Sequence, residues 1–151
     1  MTRKLVAALV VLGVLGASGS AWALGVGVGY RLPVGDFNDA YDGGFGGNVT
    51  MSFPFTPLVT FYGDVGYTRF TGGEVDGFDV DDIDVWSFNA GGHVNLLFLY
   101  AGAEVGYFTE VDDFSISPLL GTHFGPIDIS ARYKLTGENW FDLRAAISFG
   151  P

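Results

Sequence analysis

Residues 99–108 read LYAGAEVGYF, and their alternation decides the fold. Leu99, Ala101, Ala103, Val105 and Tyr107 form one set of positions; Tyr100, Gly102, Glu104, Gly106 and Phe108 form the other. A period of two belongs to a β-strand, whose successive side chains leave on opposite faces. One face here is apolar and uncharged, whereas the other combines glycine with an ionisable carboxylate.

The pattern recurs along the chain on both sides of this stretch. Leu24, Val26, Val28, Tyr30 and Leu32 alternate with Gly25, Gly27, Gly29 and Arg31, and Phe45, Gly47, Val49, Met51 and Phe53 with Gly46, Asn48, Thr50 and Ser52. Val59, Phe61, Gly63, Val65 and Tyr67 oppose Thr60, Tyr62, Asp64, Gly66 and Thr68, and Trp86, Phe88, Ala90, Gly92 and Val94 oppose Ser87, Asn89, Gly91 and His93. A less regular run, Phe114 to Phe124, contains Pro118, which cannot donate to a ladder and is expected at a bulge or an outer end. Ile127, Ile129, Ala131, Tyr133 and Leu135 then face away from Asp128, Ser130, Arg132 and Lys134, and Phe141, Leu143, Ala145, Ile147 and Phe149 from Asp142, Arg144, Ala146 and Ser148.

The reading is therefore all-β, with about eight strands. Connections near residues 54–57, 95–98 and 125–126 are short, while those near 33–43, 71–84, 109–113 and 136–139 are longer and mostly acidic. Short turns on one side and long loops on the other mark a transmembrane antiparallel up-and-down β-barrel, with periplasmic turns and external loops. Closure removes the sheet edges, as lipid requires. Aromatic residues gather at two levels. Phe53, Phe55, Phe98, Phe124 and Phe149 fall at the short-turn end; Tyr67, Phe70, Trp86, Tyr107, Phe114, Trp140 and Phe141 fall near the long loops, as girdles at the two membrane interfaces would. Charges need water or partners, so the charged face is assigned to the lumen. The competing fold is a soluble barrel of lipocalin type, in which Val59, Phe61, Val65, Tyr67, Leu99, Ala101, Val105 and Tyr107 line a cavity while Glu104, Arg132 and Lys134 lie outside.

On these runs the chain resembles the small eight-stranded outer-membrane barrels of the outer-membrane protein A and X type, over Leu24 to Phe149. In that family the last strand alternates apolar residues and ends in Phe, which the barrel-assembly machinery reads; Phe141, Leu143, Ala145, Ile147 and Phe149 match, and Gly150-Pro151 extends beyond. The resemblance to outer-membrane protein A is to its barrel half, with no peptidoglycan-binding domain expected to follow.

The N-terminus supplies the compartment. Arg3 and Lys4 precede an uncharged apolar run from Leu5 to Leu15, and Ala21-Trp22-Ala23 has the form that signal peptidase accepts. The run is too short for a membrane helix. Residues 1–23 are thus expected to be a signal peptide and 24–151 the barrel, in the outer membrane of a diderm bacterium. The absence of cysteine excludes a lipoprotein anchor and disulfides. Two of the seven basic residues lie in the leader, and the other five face seventeen Asp and Glu, which argues against nucleic acid. Expected partners are outer-membrane lipid and lipopolysaccharide, with the assembly machinery during biogenesis; no cofactor is expected, and the barrel is read as a monomer.

Eight strands enclose a space that side chains just fill. Asp64, Glu104, Arg132 and Arg144 share a depth, with Lys134 and Asp142 one pleat nearer the outside, and an ion-pair network of these six is expected to plug the lumen. The acidic loop holds Glu74, Asp76, Asp79, Asp81, Asp82 and Asp84, whose carboxylates suit a hard divalent cation, although their spacing is not that of an EF-hand. A solvated loop is the simpler reading. Catalysis finds no motif: a deacylase-like His-x-Ser spacing fails at both His93 and His123, and the glycines of residues 25–29 lie within a strand rather than before a helix. A structural or surface-interaction role is the leading expectation, ahead of a narrow pore and a lipid A-modifying enzyme.

Overall fold

The computed structural model describes residues 22–110 and 113–150, so the expected signal peptide, up to residue 21, lies outside the described residues. In chain order the elements are β1 (Ala23–Pro33), α1 (Asp36–Ala40), β2 (Tyr41–Pro54), β3 (Val59–Gly72), β4 (Glu74–Val75), β5 (Phe78–Asp79), β6 (Ile83–Leu96), β7 (Leu99–Phe108), β8 (Asp113–Phe124), β9 (Ile127–Lys134) and β10 (Trp140–Phe149). Eight strands form a closed antiparallel barrel, each beside its chain neighbour and with β10 returning to β1. The closing seam runs from Leu24 opposite Phe149 to Pro33 opposite Trp140.

The alternation maps onto inside and outside. Phe61, Val65 and Val105 are exposed on the outer wall, while Glu104, Arg132 and Lys134 are buried within. This is the reverse of a lipocalin-type interior. Glycines make the narrow lumen passable for large side chains: a Cβ at Gly44 would strike the ring of Phe70, and one at Gly121 the ring of Tyr100.

Four features differ from the sequence reading. Phe70 and Trp140 are not girdle residues; both are almost fully buried in the outer end of the lumen. Both lie on the inward parity of their strands, and placing them by depth alone overlooked that face. Pro118 makes no bulge and lies within β8, not at its outer end. The register with β9 is the same before it, at Ile116 opposite Leu135, and after it, at Leu119 opposite Arg132. The ladder simply lapses where the ring has no N–H to offer. The loop after β1 contains α1, and the acidic loop folds into the β4–β5 hairpin. Asp76 and Gly77 there take φ of 51° and 82°, as a two-residue turn with both central residues left-handed requires.

Candidate functional site

The lumen is filled in three tiers. At the outer end Phe37, carried in by α1, packs with Phe70, Val85, Phe108 and Trp140. Its ring centroid lies 5.1 Å from that of Phe70 and 5.8 Å from that of Trp140. These residues come from α1 and from β3, β6, β7 and β10, so one loop helix caps the wall from above.

Beneath the cap lies a continuous chain of charges. Arg31 Nε lies 3.2 Å from Asp142 Oδ1. The other oxygen of Asp142 accepts from Arg144 Nε at 2.8 Å and lies 2.7 Å from Arg144 Nη2. Arg144 Nη1 then donates to Asp64 Oδ2 at 2.7 Å, and Asn89 Nδ2 donates to Asp64 Oδ1 at 2.7 Å. Lys134 Nζ donates to Asn89 Oδ1 at 3.2 Å and also to Glu104. Glu104 Oε2 accepts from Arg132 Nε at 3.1 Å and from the Tyr62 hydroxyl at 2.5 Å. The chain of contacts ties β1, β3, β6, β7, β9 and β10 together across the barrel axis.

All six residues that the sequence singled out thus lie in this tier and touch one another through it. Strand tilt brings Lys134, one pleat higher by count, into contact with Glu104, while Asp142 meets Arg144 two residues along the same strand. Sequence reasoning omitted Arg31, Asn89 and Tyr62. Their parity already placed them inward; Arg31 comes opposite Asp142 only when the first and last strands close the seam, and Asn89 and Tyr62 are neutral, so a set chosen by charge passes over them. Four cations face three carboxylates here; the next carboxylate, Asp128, sits below.

The lowest tier joins Tyr100, His93, His123 and Asp128. The Tyr100 hydroxyl donates to both Asp128 oxygens at 2.9 and 2.8 Å, and His123 Nδ1 lies 3.0 Å from Asp128 Oδ2. The Tyr100 ring packs against both imidazoles, its centroid 4.3 Å from His93 and 4.5 Å from His123, which lie 6.1 Å from each other. Between the cap and the charge tier remains a cavity of about 10 Å³, lined by Arg31, Phe70, Ser87 and Asp142 among others. That is room for about one water molecule.

Outside the lumen, the acidic loop residues diverge. Asp76 sits at the hairpin tip, and Asp79 pairs with Glu74 across it. Asp82 accepts from the Gly72 N–H at 3.0 Å and from Arg69 Nε at 3.2 Å, while Asp84 lies 3.9 Å from the same Nε. The Gly72 amide, helped by the Arg69 charge, holds the Asp82 pKa below its ordinary value. Among the described residues, no three His, Asp or Glu side chains are grouped to hold a metal ion.

No protein-family model matches the chain, and no curated protein matches it. Solved structures do. The outer membrane protein Ail of Yersinia pestis, determined in a phospholipid bilayer nanodisc, is similar over 86% of this chain and 99% of its own, at 17% identity and a TM-score of 0.50. Neisserial surface protein A aligns over 84% of this chain and 95% of its own, at 14% identity and a TM-score of 0.47. At such identities the likeness to Ail speaks for fold. Together with the closed barrel, its apolar wall and its charged interior, it identifies the fold of the chain as that of the small eight-stranded outer-membrane β-barrels.

Proposed function

We propose that this chain is an outer-membrane barrel with a sealed lumen and a structural or surface-interaction role, and that it is not an enzyme. The observation that carries the reading is the filled interior. An aromatic cap, a chain of ion pairs and hydrogen bonds drawn from six strands, and a Tyr–His–Asp tier occupy it, and the cavity between cap and chain has room for about one water. With no passage through the middle, the surfaces available for function are the ends and the wall.

On this reading the signal peptide is removed after Ala23, the assembly machinery reads the final strand, and the folded monomer sits among outer-membrane lipid and lipopolysaccharide. Its acidic loops face the medium: α1 presents Asp36 and Asp39, and the β4–β5 hairpin presents Glu74, Asp76 and Asp79. An epitope inserted between Asp76 and Gly77, at an exposed turn tip, tests the placement. Antibody should bind intact cells; binding only after the outer membrane is permeabilised would overturn it.

A further inference from the structure

The two ends of the barrel differ in a way that the sealed lumen does not explain. The outer end is acidic. At the short-turn end the three turns, residues 54–58, 95–98 and 124–127, contain no ionisable side chain, and His123 and Asp128 beside the third turn pair with each other in the lowest tier of the lumen. Phe55, Leu58, Leu96, Leu97, Phe98 and Phe124 are all well exposed there, Leu97 at 96%. The turns form one surface, because the Asn95 N–H donates to the Leu58 carbonyl at 2.7 Å and the His123 N–H to the Phe98 carbonyl at 3.2 Å. An exposed apolar patch of this kind marks contact with something apolar.

Two further observations say what covers it. The first is height. From Trp86, in the outer girdle, to Leu96 is ten residues of β6. A strand tilted by roughly 40° climbs about 2.5 Å per residue, so this stretch spans about 25 Å, the whole apolar band of such a barrel. The band therefore ends at the turns themselves, and the patch continues the lipid-facing wall through Leu99, Leu120 and Ile127, all exposed. The second is Leu97. It has φ of 60° at the first central position of the two-residue β6–β7 turn, where glycine is the unstrained choice. A bulky apolar side chain is kept at a position where the backbone disfavours any side chain at all.

We infer that the short-turn end is a lipid-binding surface. Its three turns sit at the boundary of acyl chains and headgroups in the inner leaflet, against phospholipid, and fix the depth of the barrel. Nothing of this end then projects into the periplasm. The chain lacks cysteine, so single labels are unambiguous. Nitroxides at Leu97→Cys, at Val105→Cys on the wall and at Asp79→Cys on the hairpin are compared in phospholipid nanodiscs by collision with oxygen and with a water-soluble nickel chelate. The label at 97 should lose the chelate collisions seen at 79 and keep oxygen collisions as at 105. Chelate collisions equal to those at 79 would put the turn in water. Exclusion of both reagents would mean a protein cover, and either result overturns the proposal. Phe98→Cys gives the same reading if Leu97→Cys does not fold.

Discussion

Replacing Asp142 by Asn removes one charge from the centre of the lumen and leaves the shape almost unchanged. Asp142 holds Arg31 at 3.2 Å and Arg144 at 2.7 and 2.8 Å. Arg144 keeps Asp64, but Arg31 keeps only the Gly29 carbonyl, which its Nη1 reaches at 3.2 Å. A guanidinium is thus stranded at a site where it is 2% exposed. Removing one partner of a buried pair costs about 3–5 kcal/mol, because the other charge stays behind unpaired. Urea unfolding of the purified barrel in phospholipid vesicles, followed by tryptophan fluorescence, should show Asp142→Asn losing about that much. Adding Arg31→Met removes the stranded charge, and an apolar replacement for a buried pair is nearly neutral, so most of the loss should return. Asp82→Asn, in an exposed pair, should leave the midpoint where it was. A loss under about 1 kcal/mol for Asp142→Asn, or no recovery with Arg31→Met, would refute the idea that the network holds these charges in the lumen.

Other expectations follow from the remaining tiers. Phe37→Ala withdraws the central ring of the cap, a deletion of the kind that costs about 3 kcal/mol in a packed core; because α1 is held by that ring, amide exchange should rise across 36–40 while the barrel strands stay protected. Gly121→Ala forces a Cβ against the Tyr100 ring, which Asp128 holds in place, and should cost about 1–3 kcal/mol by denaturant unfolding; Gly121→Ala with Tyr100→Ala should relieve that clash. The Asp82 clasp has a definite pH sense. Its pKa is lowered from 3.8 on folding, so its contribution is full above that value and is lost as pH falls through the lowered one. Exchange of the Gly72 amide should therefore be unchanged from neutral pH to pH 5, once corrected for the intrinsic rate, and should accelerate only below the ordinary carboxylate range.

Strand parity carried most of the fold in the sequence. Inward Glu104 and outward Val105 needed only the period of two, since a one-residue slip would put every charge into lipid. The depth of the charged set was legible because strand lengths and turn positions were. What stayed hidden depended on contacts between distant segments. Phe37 lies in a stretch without periodicity, and nothing local shows that it turns down onto Phe70 and Trp140. Arg31 carries the same inward parity as the residues of its network, yet its pairing with Asp142 follows from strand stagger across the closing seam, which no single strand records. Asp76-Gly77 was a hairpin turn in plain sight, read instead as part of an acidic loop.

Single-channel recording tests the sealed lumen most directly. The purified barrel, inserted into planar phospholipid bilayers at high salt and shown to be inserted by surface labelling of the hairpin, should pass no steady current above the bare membrane. A stable ohmic conductance from the wild-type chain would contradict the account, in which the cap and the charge tier close the lumen with room between them for about one water.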